Sequence, residues 1–473
     1  MLDSMRYLST RGGVPATGFR EAVLAGLARD GGLLIPATIP DVRDQLDRWA
    51  QLSYGELAVE IIRLYSDLPE TELTEQITRV CAAFRDPEVT PVKPVGPVHV
   101  LELFHGPTLA FKDVALQWLG HLFSYLLAQS GGRLNILAAT SGDTGSAAIA
   151  GLRGRPHLRI FVMHPHGRVS PTQERQMTTV LDANVHNLAL DGSFDDCQRI
   201  LKALFADLPF KDRHALGAVN SVNWARVLSQ IVYYFYAAFR VQRATGARAV
   251  QFAVPTGNFG DVLAGWYAAR MGLPIRRLIL ATNENDILAR FFRTGDYRRG
   301  KVVPTLSPSM DIQVASNFER YLFYRVGSDA AQLRKLMKGF DAHGRLSVPL
   351  DEHGRVDELF AAGVGATADT LATIRRYFER HDYLLDPHTA VGVHVAEQHL
   401  DPGAPTICLA TAHPAKFSAA IRQATGRDAA HHPLLDQLAD LPTRCTVLPA
   451  DTDAVRAFIA QHAGVEGKPQ ARG

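Results

Sequence analysis

A chain of 473 residues, 47% hydrophobic and 21% charged, has the composition of a globular protein and is too long for one ordinary core, so two or three domains or subdomains are expected. Its 50 basic residues against 48 acidic ones leave a formal charge of +2, which argues against nucleic acid or an anionic membrane as the main partner. Cys81, Cys197, Cys408 and Cys445 show neither zinc spacing nor a disulfide framework. With no basic-then-apolar leader and no apolar run long enough for a bilayer, the expected location is the cytoplasm, with reduced thiols.

Residues 1–90 read as a mostly helical N-terminal domain, with helical spacing over 18–27 before Asp30-Gly31-Gly32 and a second helix over 54–64. They carry few chemical groups and suit a scaffold or an oligomer-forming role; monomer and homodimer both stay open. Residues 91–440 change to short β-like runs, each followed by a turn and a helix, the pattern of an α/β core with parallel strands in two subdomains. Strands are expected at 98–103, 134–139, 159–163, 249–254, 277–281 and 406–410. Proline-rich stretches near 94–97 and 402–405 read as connectors. Residues 441–473 form a C-terminal segment whose polar tail, from Gly464 on, is expected to fray.

Chemistry is sought where parallel strands end and helix N-termini offer free amides. Lys112, in His105-Gly106-Pro107-Thr108-Leu109-Ala110-Phe111-Lys112-Asp113, follows a Gly-Pro turn and an apolar neighbour, which suits a lysine that forms a Schiff base. Gly257-Asn258-Phe259-Gly260 leads from a strand into a helix over 262–271 and reads as a cradle for a phosphate monoester, since both a Walker lysine and dinucleotide spacing are missing. Asp261, at the start of that helix, would oppose an anion that came too near.

Thr140-Ser141-Gly142-Asp143-Thr144-Gly145 also opens a helix and serves either as an anion loop or as a plain capping loop. Thr411, in Ala410-Thr411-Ala412-His413-Pro414, is a candidate neutral partner for a pyridine nitrogen, or part of a simple strand-to-helix turn. Asn220, Ser221 and Arg226 precede an apolar aromatic helix and offer a second anion site, although Arg226 equally suits a structural ion pair.

In this order the motifs resemble the threonine synthase family, of the longer bacterial and fungal type, from Tyr7-Leu8-Ser9-Thr10-Arg11-Gly12 to the segment around Thr411. The resemblance implies fold type II of the pyridoxal-phosphate enzymes, like the tryptophan synthase β chain. It implies pyridoxal 5'-phosphate held by Lys112, its phosphate in the Gly257, Asn258, Phe259 and Gly260 cradle, its pyridine nitrogen facing Thr411, and Asp143 where shorter relatives place an asparagine. Thr140, Ser141, Thr144, Asn220, Ser221 and Arg226 match positions that hold substrate phosphate and carboxylate. The implied reaction converts O-phospho-L-homoserine and water to L-threonine and phosphate. The alternatives are a phospho-lyase or dehydratase of the same fold releasing 2-oxobutyrate, and a non-catalytic homologue. Asp386-Pro387-His388-Thr389 is expected near the site as structure, and polar groups of 313–320 are expected to reach substrate.

Overall fold

The computed structural model describes residues 5–140 and 142–464. They form two compact units, one from the residues up to Leu119 with Ser221–Asp436, the other from Gly120–Asn220 with the residues from Gln437 on. In chain order the strands are β1 (Tyr7–Ser9), β2 (Leu34–Pro36), β3 (Val92–Val95), β4 (Val98–Glu102), β5 (Leu134–Ala139), β6 (Leu158–Pro165), β7 (Val185–Asp191) and β8 (Leu216–Gly217). They continue as β9 (Val250–Pro255), β10 (Ile275–Thr282), β11 (Asp296–Arg298), β12 (Arg345–Ser347), β13 (Phe360–Val364), β14 (Thr406–Ala410) and β15 (Thr446–Pro449). All six strands expected from the sequence are present, at nearly the expected bounds.

The first unit is built on a six-stranded sheet in the order β13-β10-β9-β14-β4-β3. Every pair is parallel except β3 with β4. β9 reads Val-Gln-Phe-Ala-Val-Pro and is buried at every position, as a central parallel strand covered on both faces must be. Burying Phe252 and Val254 contributes about 1.5–3 kcal/mol each. The 22-residue helix Trp224–Thr245 is capped by Asn223, whose side chain accepts the Ala225 amide, and ends on left-handed Gly246. Its aromatic run, Tyr233, Tyr234, Phe235 and Tyr236, is core, as expected.

The second unit is a five-stranded parallel sheet ordered β15-β7-β6-β5-β8. Its core joins Leu137, Phe161 and Leu188 from the strands to Ile200 on helix Phe194–Ala206 and to Val455 and Ile459 on helix Thr452–His462. The C-terminal segment thus supplies a strand and a helix, while the tail from 465 lies outside the described residues.

One sequence reading is corrected. The stretch around Pro94 is part of edge strand β3, a place where proline costs no central ladder bond, rather than a connector. The mostly helical N-terminal region also carries an antiparallel pair, β1 with β2, whose three-residue strands are too short to show a period. Among the described residues, no helix is long and apolar enough to cross a membrane.

Candidate active site

Strand order decides where the chemistry gathers. β9, β14 and β4 are neighbours and parallel, so the loops that follow them, carrying Gly257, Thr411 and the approach to Lys112, leave one edge of the sheet side by side. The Phe111 amide donates to the Thr411 carbonyl at 2.9 Å, and the His413 amide donates to the Leu109 carbonyl at 3.0 Å. Those bonds lock the lysine-bearing loop to the threonine-bearing one through an Ala110 to Ala412 bridge.

Lys112 opens the helix Lys112–Ser130 and is only 8% exposed, with Nζ 5.4 Å from the centre of the Phe111 ring. The turn before it is held by Asp113, whose carboxylate accepts the Thr108 amide at 2.8 Å and hydroxyl at 2.7 Å. A side chain on Gly106 would put its Cβ 2.4 Å from that of Asp113, so this close turn requires glycine. Lys416 Nζ donates to the Thr108 carbonyl at 2.7 Å. Burial raises the Asp113 carboxyl, and the Thr108 bonds and the Lys416 charge pull it back. Asp113 and Lys416 are positioning residues that sequence reading passed over; their signal was the position next to Lys112 and the lysine in the Thr411 loop.

Thr411 is buried, and its amide donates to Thr389 Oγ1 at 3.3 Å. The Thr389 hydroxyl donates to Asp386 in a short bond, and His388 Nδ1 pairs with Asp386 Oδ1 at 3.0 Å. The Ser309 amide donates to His388 Nε2 at 3.3 Å, so a neutral imidazole carries its proton on Nδ1 and donates it to Asp386. This buried chain runs from the Thr411 backbone to Ser309, whose carbonyl abuts Gly257. The 386–392 segment therefore stands beside the site as structure, as expected.

The expected cradle, 257–260, lies between β9 and the helix Gly260–Arg270. Phe259 adopts a left-handed φ of 62° as the N-cap, while its ring is anchored among Phe292, Phe318, Tyr321 and Phe360. Its backbone can thus serve an anion while its side chain serves the core. Asn258 is exposed, and its carbonyl accepts the Asn317 amide at 3.0 Å. Gln230 is buried near Gly260, its side-chain oxygen unmatched by a donor among the described residues.

A Cβ on Gly257 would lie 2.5 Å from the Ser309 carbonyl. Gly257→Ala is expected to displace the cradle at a cost of about 1–3 kcal/mol, weakening pyridoxal-phosphate binding roughly 10- to 100-fold in an equilibrium titration. Unaltered affinity would remove this loop from the cofactor site. A bare, glycine-bounded helix N-terminus, a sheltered lysine and a neutral threonine on adjoining loops fit that cofactor.

Asp261, at the start of that helix, is held by two tyrosines. Its Oδ1 accepts the hydroxyls of Tyr233 at 2.6 Å and Tyr234 at 2.9 Å, and burial pushes the carboxyl up to about 6 against those two bonds. A carboxyl whose folded pKa is raised stabilises the fold in its protonated form, and that stability is lost as pH rises from about 4 to about 6. Asp261→Asn keeps an acceptor for the phenols and removes the charge. Relative to the parent, it is expected to gain about 1–3 kcal/mol between pH 4 and 7 in urea unfolding of the cofactor-free protein. A constant difference across that range would contradict the assignment.

The other sequence-derived positions divide between the units. In the first, Ser221 Oγ lies 3.0 Å from Ser316 Oγ, and Asn317 Nδ2 donates to the carbonyls of Ser221 at 3.1 Å and Asn258 at 3.3 Å, bringing the 313–320 segment to both loops. Arg226, 3% exposed, sits in the first turn of its helix, and burial pushes its guanidinium down to about 10. Arg320, which sequence reading did not single out, is fully buried and ties Asn317 to the carbonyls of Leu34 and Val222.

In the second unit, Thr140 Oγ1 accepts the amides of Gly142 and Gly145, both at 3.0 Å. Asp143, first in helix Asp143–Leu152, accepts Gln173 Nε2 at 2.8 Å. Thr144 is half-buried and Asn220 exposed, while Ser141 lies outside the described residues.

Comparison with known proteins agrees with this arrangement. Residues 93–412 match the family model for pyridoxal-phosphate dependent enzymes, and this is a fold type II member of that class. Residues 6–81 match the threonine synthase N terminus and residues 389–459 the threonine synthase C-terminal model. Threonine synthase of Pseudomonas aeruginosa is 46% identical over 471 residues, 98% of this chain and 100% of the relative. The crystal structure of pyridoxal-phosphate-bound threonine synthase from Brucella melitensis superposes with a TM-score of 0.93 at 46% identity, covering 97% of this chain and 100% of the other. That of the yeast enzyme gives 0.92 at 42% identity, covering 97% and 99%. The chain belongs to the threonine synthase family.

Proposed function

We propose that this chain converts O-phospho-L-homoserine and water to L-threonine and phosphate. The observation that carries the reading is the convergence, at one sheet edge, of a buried lysine, a glycine-bounded helix N-terminus and a buried threonine, in a chain 46% identical to a threonine synthase along its length. When bound, pyridoxal phosphate supplies an electron sink for charge that develops on the substrate carbons.

The residues do the rest. Lys112 Nζ would hold the cofactor, and its amine, when free, would take the proton from Cα and carry protons between Cα, Cβ and Cγ as phosphate leaves Cγ and water adds at Cβ. The amides from Gly257 to Gly260 take the cofactor phosphate, and the Gly260–Arg270 helix adds its positive end. Thr411, as a neutral hydroxyl, meets the pyridine nitrogen without adding charge. Asp143 is assigned to the cofactor's phenolic side. Ser221, Arg226, Thr140, Ser141, Thr144 and Asn220 are assigned to substrate phosphate and carboxylate, with buried Arg226 offering a planar fork to either. The four free cysteines suit a cytoplasmic enzyme.

Purified protein supplied with cofactor and O-phospho-L-homoserine is expected to form threonine and phosphate in equal amounts. Phosphate accompanied by 2-oxobutyrate would instead make it a phospho-lyase, and absence of both products would defeat the proposal.

A further inference from the structure

Behind the Leu109 turn, within the first unit, lies a cavity of about 380 Å³ whose wall includes Arg85, Glu102, His105, Tyr383, His413 and His432. None of the cofactor positions discussed above lines it. His413 Nδ1 accepts the Ala415 amide at 3.2 Å, and His432 Nδ1 accepts the Leu434 amide at 3.1 Å. A ring nitrogen that accepts from an amide carries no proton, so both neutral imidazoles hold their proton on Nε2. The rings are 4.8 Å apart between centres, and no described residue accepts from either Nε2.

Two residues that carry N–H donors thus line one cavity together with a guanidinium. Arg85 donates to the Gly106 carbonyl at 2.6 Å, which anchors the guanidinium, and its charge helps depress both histidines. Burial is the larger cause, taking His413 down to about 4, so both rings are neutral at physiological pH. The carboxylate in the wall is already engaged: Glu102 Oε2 pairs with His105 Nε2 at 2.9 Å and Oε1 accepts the Tyr383 hydroxyl at 2.7 Å. What remains is a cavity that offers a guanidinium and two imidazole N–H groups beside a carboxylate whose two oxygens are already hydrogen-bonded.

We propose that this cavity is a second anion site, which takes a small oxyanion, phosphate or carboxylate, on Arg85 and the Nε2–H groups of His413 and His432. The lodged anion would touch Leu109 and His413, the two residues joined by the bond that ties the lysine loop to the threonine loop.

The test uses holoenzyme labelled with 15N-histidine, its signals assigned by their loss in His413→Gln and His432→Gln. Both rings should show the Nε2–H tautomer, and titration with inorganic phosphate or, separately, acetate should shift both signals to saturation. Arg85→Gln should weaken that response roughly tenfold, the loss of one charge-assisted bond, while Arg85→Lys should keep most of it. Cofactor absorbance and thermal unfolding establish that each variant is folded. Saturation by phosphate alone or by acetate alone names the preferred oxyanion, and either supports the site. Signals indifferent to both anions, or a titration unchanged in Arg85→Gln, would overturn it.

Discussion

Lys112→Ala protein mixed with pyridoxal phosphate is expected to lack the visible absorbance band of lysine-bound cofactor and to lose turnover roughly a thousandfold or more. The size follows from two duties resting on one amine. Lys112 is assigned both to covalent anchorage and to proton transfer at the substrate carbons, and the removal of a general base alone typically costs a factor of 10² to 10⁴. The fold should survive. Its Cα opens a helix whose preceding turn is fastened by Asp113, Thr108 and Lys416, none of which changes. Thermal unfolding of the cofactor-free variant should therefore match the parent closely, which separates lost chemistry from lost structure. A variant that keeps the band, or that keeps most of its turnover, would move the reactive lysine elsewhere.

The large parallel strands were legible because burial on both faces writes them as short continuous apolar runs, as in Ile136 to Ala138 and Phe252 to Val254. β1 and β2 were not, since three residues cannot display an alternation and their pairing spans the intervening helix. The loops that carry Lys112, Gly257 and Thr411 could be picked out by their residue types, but their adjacency comes from the order β9-β14-β4, which no local pattern encodes. Asp261 illustrates the same limit at one residue. Its place at a helix start was legible; that two tyrosines more than 25 positions earlier claim its carboxylate was not. Family resemblance supplied roles for Asn220 and Arg226 that residue type alone left open between anion binding and structure.

Asp386→Ala is expected to cost about 3 kcal/mol of stability and to weaken cofactor binding roughly tenfold or more. Its carboxylate is 1% exposed and takes four donors: the amides of His388 and Thr389, His388 Nδ1–H and the Thr389 hydroxyl. Alanine would leave those donors buried without an acceptor, and it would also uncap the helix Pro387–Glu397. Asn is a poor substitute, because one of its two positions is itself a donor and would confront either the imidazole N–H or the hydroxyl. The effect should reach the cofactor from two directions, through Thr389 to the Thr411 backbone and through His388 to Ser309 behind Gly257. Urea unfolding of cofactor-free protein measures the first quantity and an absorbance titration with pyridoxal phosphate the second. Loss of stability with cofactor affinity intact would reduce Asp386 to a helix cap. Loss of both, with His388→Gln showing a smaller version of the same pair, would identify the chain from Thr411 to Ser309 as the brace that holds the two cofactor-facing loops in register.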